Sequence, residues 1–257
     1  MRDHGLQEAI RAAGGIGELA RRLGFSQPSV SNWERIPAER VLCVEQATGI
    51  ARALLRPDLF GEVAGDGRDA VDIARGQEYA LLATLLGASP DEPLLKRLCG
   101  LRGDPSPLGL AHAALGQAAQ RTDHERVGRE YFDLFIGLGR GELLPYASYY
   151  LTGFLYERPL ARLRGDLHRL GIAAAVGQPE PEDHAAILCE IMAALAGNTI
   201  AAAAGADQEL FEKHLAPWIF RFFSDLERSP RAEFYAAVGS LGRTFMAIET
   251  EAFGLPR

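Results

Sequence analysis

The stretch LARLRGDLHRLGI, residues 160–172, decides the fold class. Leu160, Leu163, Leu167 and Leu170 recur at three- and four-residue spacing, arginines occupy the opposite side, and Gly171 supplies a stop. That pattern is one face of an amphipathic helix. Working outward, the same period predicts helices over 74–86, 107–119, 127–138, from the acid-rich start at 180 to 195, over 207–226 and over 231–253. No period-2 segment and no Asn-Gly hairpin interrupts them. About seven helices therefore form an all-α bundle without internal repeats.

A chain of 257 residues with 47% hydrophobic content buries a full core and holds one large domain or two unequal ones. No apolar run reaches the roughly 18 positions of a membrane span, and Met1 to Gly15 carries acids without an apolar segment. The expected location is the cytoplasm, with no membrane partner. Cys43, Cys99 and Cys189 lie far apart with no CxxC pair, which excludes a disulfide framework and a thiolate zinc site.

Charge divides the chain. Residues 1–60 hold eight arginines against seven acids, a balance of +1; the total is −7, so residues 61–257 carry −8. The larger part repels nucleic acid and attracts basic partners. Three glycines in GEVAGDG, residues 61–67, mark the break. The expected organisation is a small domain over 1–60, a linker over 61–71 and a large domain over 72–257.

In the small domain Leu6, Ala9, Ile10 and Ala13 form one stripe before Gly14-Gly15, and Ile16, Leu19, Ala20 and Leu23 a second before Gly24. Ser26 is placed to cap a third helix with Pro28 in its first turn, and a fourth is expected over 38–48. Helix, glycine turn, capped helix is helix-turn-helix arithmetic. Val30 and Trp33 point inward, which leaves Gln27, Ser29, Ser31, Asn32 and Arg35 as candidates for DNA contact, amides and hydroxyls for base edges and arginine for phosphate. The stretch from GGIGELARRLGFSQPSVSNWER to IPAERVLCVEQATG resembles the Cro-like helix-turn-helix domains of the YdaS type, which implies DNA binding through residues 27–33. A protein-docking role is the alternative, since the domain is barely basic.

The large domain carries EPEDHAAILCEIM, residues 180–192. His184 with Asp183 and Glu180 lacks a second histidine nearby, so metal is the weaker reading and no metal ligand is assigned. No GxSxG, HExxH, Walker loop or GxGxxG is present to support catalysis. The plain reading is a helix start, with Pro181 in the first turn and Glu180, Glu182 and Asp183 complementing the dipole.

Three motifs together resemble the TorD family of molybdoenzyme chaperones: Glu180-Pro181-x-Asp183-His184, Tyr146-x-Ser148-x-Tyr150 and His214-x-x-Pro217-Trp218. The resemblance spans about residues 72–257 and implies an all-α chaperone, not an enzyme. Such proteins bind an apo-molybdoenzyme subunit, or its twin-arginine signal peptide, until the cofactor is inserted. Within the family the pattern points to members associated with formate dehydrogenase. A groove for such a peptide needs carboxylates beside exposed apolar surface. Glu180, Asp183 and His184 would meet the first need, and Tyr146, Tyr150 and Trp218 the second. His184 either bonds to the client, orients Asp183, or is satisfied by a neighbouring helix. A transcription regulator with the TorD-like domain as client sensor is the alternative reading. Whether a nucleotide or the molybdenum cofactor binds stays open, as does the oligomeric state, although one helix-turn-helix needs a homodimer to hold an operator tightly.

Overall fold

The computed structural model describes residues 3–50, 52–56, 69–172, 180–200 and 202–254. The expected linker falls almost wholly outside them. The chain divides into two compact units, Met1–Asp69 and Ala70–Arg257. Among the described residues every regular element is helical, and the only extended pairing is one isolated bridge between Tyr146 and His184.

In the amino-terminal unit α1 (His4–Ala13), α2 (Ile16–Leu23), α3 (Gln27–Ser31), α4 (Val41–Thr48) and α5 (Arg52–Leu55) enclose Leu6, Ala9, Leu19, Val30, Ile36, Val41, Val44 and Leu55. Gly14 and Gly24 end α1 and α2 in left-handed conformation, where the sequence places the breaks, and Asp3, which the sequence reading did not single out, caps α1. The third helix departs from expectation. Ser26 stands at its N-cap position, but its hydroxyl pairs with that of Ser29 at 2.7 Å instead of capping. The helix ends at Ser31, so Trp33 and Arg35 follow it; Trp33 packs edge-on against Phe25, 6.2 Å between ring centres. The α5 turn, which no periodicity signalled, lies so close to α1 that a side chain on Gly5 would collide with the Leu55 carbonyl.

The carboxyl-terminal unit comprises α6 (Asp69–Gly87), α7 (Glu92–Leu98), α8 (Pro107–Gln120), α9 (His124–Tyr131), α10 (Ala147–Thr152), α11 (Arg158–Arg169), α12 (Ala185–Ala196), α13 (Ala206–Leu210), α14 (Ile219–Arg228) and α15 (Phe234–Gly254). The central helix, α15, packs against α8, α9 and α14. Gly239 and Gly242 set its approach to α14: a Cβ there would strike the Glu227 backbone and the Phe223 ring. Glu130 of α9 accepts the N–H groups of Glu233, Phe234 and Tyr235, so α15 begins three residues later than its apolar period suggests. Arg75 forks onto Glu249 with two bonds of 2.8 Å, and also reaches Asp72 and Asp207. Tyr79 donates to the same Glu249 at 3.0 Å, which joins α6, α13 and α15. The helix expected over 207–226 is broken, because Pro217 has no N–H to donate; the chain passes through a wider π-type turn, Phe211–Leu215, before α14.

Candidate functional site

Two motifs 35 residues apart close on each other. The Ala147 N–H donates to the Asp183 carbonyl at 3.0 Å, and the Ala185 N–H to the Pro145 carbonyl at 2.8 Å. Inside this clasp the Asp183 carboxylate accepts the Ser148 N–H at 2.8 Å and the Ser148 hydroxyl at 2.5 Å. Ser148 lies in the first turn of α10, so Asp183 caps a helix remote in sequence. His184 caps its own helix: Nδ1 accepts the Ala186 N–H at 3.1 Å. The N-termini of α10 and α12 thus meet, and their dipoles converge on the Asp183 charge.

The clasp corrects the expected helix start. Helix α12 begins at Ala185, and Glu180, Pro181 and Glu182 lie in the turn before it, with the Pro181 carbonyl accepting the His184 N–H. Glu182 is taken by Arg164 at 2.8 Å. Asp183 is 1% exposed and its Oδ2 takes both bonds from Ser148; among the described residues no hydrogen bond joins it to His184. Glu180 is exposed and accepts the Tyr146 hydroxyl at 2.5 Å. The Tyr146 ring stands edge-on to His184 at 5.0 Å. Burial first, then the Glu180 bond, pushes the Tyr146 phenol above its ordinary range.

His184 is held in one tautomer. Its Nδ1 is an acceptor, so the proton sits on Nε2, which has no hydrogen-bond partner among the described residues. Burial lowers the pKa of the imidazole despite Glu180 and Asp183 nearby, which keeps it neutral at pH 7. It presents a neutral N–H donor.

That residue lines a groove of about 540 Å³ between α6 and α12. Ala80, Ala83, Thr84 and Gly87 form one wall, Ala186, Ile187 and Ala193 the other, with Tyr131, Glu180 and Glu190 at the edges. The small residues recur at i, i+3, i+4 and i+7 on α6, which lets a ligand come close to the helix backbone. Glu190 is exposed and has no ion pair or hydrogen bond among the described residues. Sequence reasoning missed both the small-residue wall and Glu190.

The remaining motif residues lie elsewhere. Trp218 is 2% exposed: its Nε1 donates to the His214 carbonyl at 2.7 Å, and its ring packs against Tyr150 and Phe222. It belongs to the core rather than to an open surface. Tyr150 is half-buried over Trp218 and donates to Asp225 at 3.2 Å. His214 is buried against Asp166 of α11 at 2.7 Å. In the amino-terminal unit Gln27, Ser29, Asn32 and Arg35 are exposed and Ser31 is half-buried; Arg35 lies 3.4 Å from Asp3.

Comparison with known proteins places both units. The profile of the nitrate reductase delta subunit family matches residues 102–224, and that of the bacterial toxin YdaS matches residues 6–64. The chaperone protein TorD of Vibrio cholerae is 29% identical over 143 residues, 52% of this chain and 65% of its own length. The larger unit is thus similar to the TorD family and the amino-terminal unit to the YdaS type. The chaperone protein TorD of Shewanella loihica is 24% identical over 70% of this chain and 93% of its own length. A crystal structure from Archaeoglobus fulgidus, described as a redox enzyme maturation protein, is 22% identical, with a TM-score of 0.49 over 67% of this chain and 93% of its own. The chain thus spans less than two thirds of the Vibrio relative. No helix among the described residues is long and apolar enough to cross a membrane.

Proposed function

We propose that this protein is a chaperone in the maturation of a molybdenum enzyme, and that the groove between α6 and α12 binds an arginine-bearing segment of the immature client. One observation carries the reading: exposed carboxylates at Glu180 and Glu190 flank an apolar wall into which His184 offers an N–H without a partner. Carboxylates suit guanidinium, the imidazole N–H suits a main-chain carbonyl of the client, and the wall suits its apolar atoms. Asp183 and Ser148 set this geometry from below, while Tyr146 holds Glu180 in place. No step in this role is catalytic.

The test is titration of a labelled peptide bearing two arginines and an apolar stretch, at low and raised salt. Glu180→Gln and Glu190→Gln are each expected to weaken binding roughly three- to tenfold and to flatten the salt dependence, as for contacts on the order of 1 kcal/mol. Wild-type protein that ignores the peptide, or variants that bind as it does, would sink the assignment. For a whole client, a formate dehydrogenase subunit is the first to try in a pull-down.

A second reading is supported by the exposed Gln27, Ser29 and Asn32 beside the α2–α3 turn. In it the amino-terminal unit binds DNA as a homodimer, and client binding shifts that affinity through linkage. A gel shift on the DNA upstream of the gene, with and without peptide, separates the two readings.

A further inference from the structure

Two exposed loops of the larger unit carry apolar tips beside arginines. Residues 151–158, LTGFLYER, are exposed throughout, with Phe154 at 70% and Tyr156 at 72%. In the loop that follows the Phe132–Ile136 turn, Leu138 is 98% exposed and stands two residues before Arg140. The loops adjoin, because Arg140 donates to the Tyr149 hydroxyl at 3.1 Å and residues 142–144 and 149–153 line one cavity of about 480 Å³. Large apolar side chains gathered in this way exceed the scattered exposure usual on a surface. Tyr156 is held at φ 59°, a strained conformation for a tyrosine, and its ring gains no burial in return.

Charge decides what covers this edge. Arg158 and Arg162 stand one turn apart on the outer side of α11, and neither has an ion pair or hydrogen bond among the described residues. Like charges at that spacing slightly disfavour the helix that carries them. The two loops, the start of α11 and the cavity lining hold Arg140, Arg158, Arg162 and Arg221 against Glu142, Glu157 and Asp225. Arg231 sits on Glu142 at 3.1 Å, so the balance here is +2, within residues 61–257 that carry −8. An arginine-bearing peptide would be repelled by this edge, and a second copy would set these arginines against their own counterparts. A surface that is anionic outside and apolar within meets both features.

We infer that the edge formed by Leu138, Phe154, Tyr156, Arg158 and Arg162 docks on an anionic lipid membrane. The apolar tips enter the headgroup layer, and the arginines meet lipid phosphates. The acidic remainder of the surface, repelled by the same lipid, orients the molecule. The expectation of no membrane partner rested on the lack of a spanning segment, which surface attachment does not need. The inference is independent of the groove between α6 and α12.

Sedimentation of the full chain with vesicles tests it. Binding is expected to an equal mixture of phosphatidylglycerol and phosphatidylcholine, about tenfold weaker on phosphatidylcholine alone and weaker at raised salt. Arg158→Gln with Arg162→Gln should lower partitioning roughly tenfold, and Phe154→Ser with Tyr156→Asn by a similar factor. Asparagine tolerates the left-handed backbone at 156. Arg97→Gln with Arg121→Gln removes the same charge from exposed positions elsewhere and should leave binding within about twofold of wild type. Equal losses for the two arginine pairs would assign the effect to net charge and overturn the inference. A loop variant that binds like wild type would overturn it too, as would wild-type protein that ignores both kinds of vesicle. A dimer that the loop variant loses, with vesicle binding unchanged, would assign the edge to a second copy. Vesicles ignored by wild type, while the loop variant loses the arginine peptide, would assign it to the client; either outcome overturns the inference.

Discussion

The Asp183 carboxylate accepts both the N–H and the hydroxyl of Ser148, from the turn before one helix to the first turn of another. Asp183→Ala leaves both donors unpaired in a buried place. A loss of about 2–4 kcal/mol is expected, and Ser148→Ala, which keeps the backbone bond, should cost about 1 kcal/mol. Urea unfolding of both variants and of the double variant measures this. Additive losses would mean that the two residues do not act as a pair.

His184 and His112 should respond to pH with opposite signs. Burial lowers the pKa of His184, so the unfolded chain takes up its proton first, and stability contributed by the neutral form is lost as pH falls below about 6.5. His112 is raised by its bond to Glu78 at 2.8 Å, so its contribution is full below about 6.5 and is lost as pH rises through the folded value. Unfolding free energies between pH 5 and 8 for His184→Gln and His112→Gln check this. The first variant should be less sensitive to acid than wild type, and the second should lack the decline toward alkaline pH. Identical profiles for all three proteins would contradict both assignments.

Glu249 is 1% exposed and holds Arg75 and Tyr79 together. Removing it leaves Arg75 with only Asp72 and Asp207, and the buried Tyr79 hydroxyl without its acceptor. Glu249→Ala is expected to cost about 3–5 kcal/mol, whereas Arg228→Ala, an exposed change outside the network, should fall within about 0.5 kcal/mol. Thermal unfolding distinguishes them, and similar midpoints would show that the network contributes little.

The three cysteines should label in order of exposure. Cys43 is exposed, Cys99 is half-buried, and burial pushes the Cys189 thiol up to about 12. Maleimide at pH 7 should modify Cys43 first and leave Cys189 untouched until the chain unfolds. Mass spectrometry reads the sites directly, and early labelling of Cys189 would place it outside the core.

Local patterns were legible and distant ones were not. Leu160, Leu163 and Leu167 announced α11 because its buried face repeats with the helix. The glycines that end α1 and α2 were equally plain, since only a left-handed residue fits there. The start of α12 was misplaced because Pro181 imitates a first-turn proline, while the partner that claims Asp183 lies 35 residues away in the chain. Trp218 was taken for open surface because aromatic spacing is the same on a core face and a binding face; only the His214 carbonyl and the Tyr150 ring reveal which it is. Ala80, Ala83, Thr84 and Gly87 carry no chemistry of their own, so a search for reactive residues passes over the wall that shapes the groove.

Because α10 takes its cap from Asp183, in the turn that leads into α12, its first turn is not complete until that turn is in place. As the chain leaves the ribosome, the cradle for a client has no half-built version: it comes into being only after residues near 188 have emerged and folded back on those near 148. A weakened copy of this protein would therefore present fewer working molecules, each with an undiminished grip.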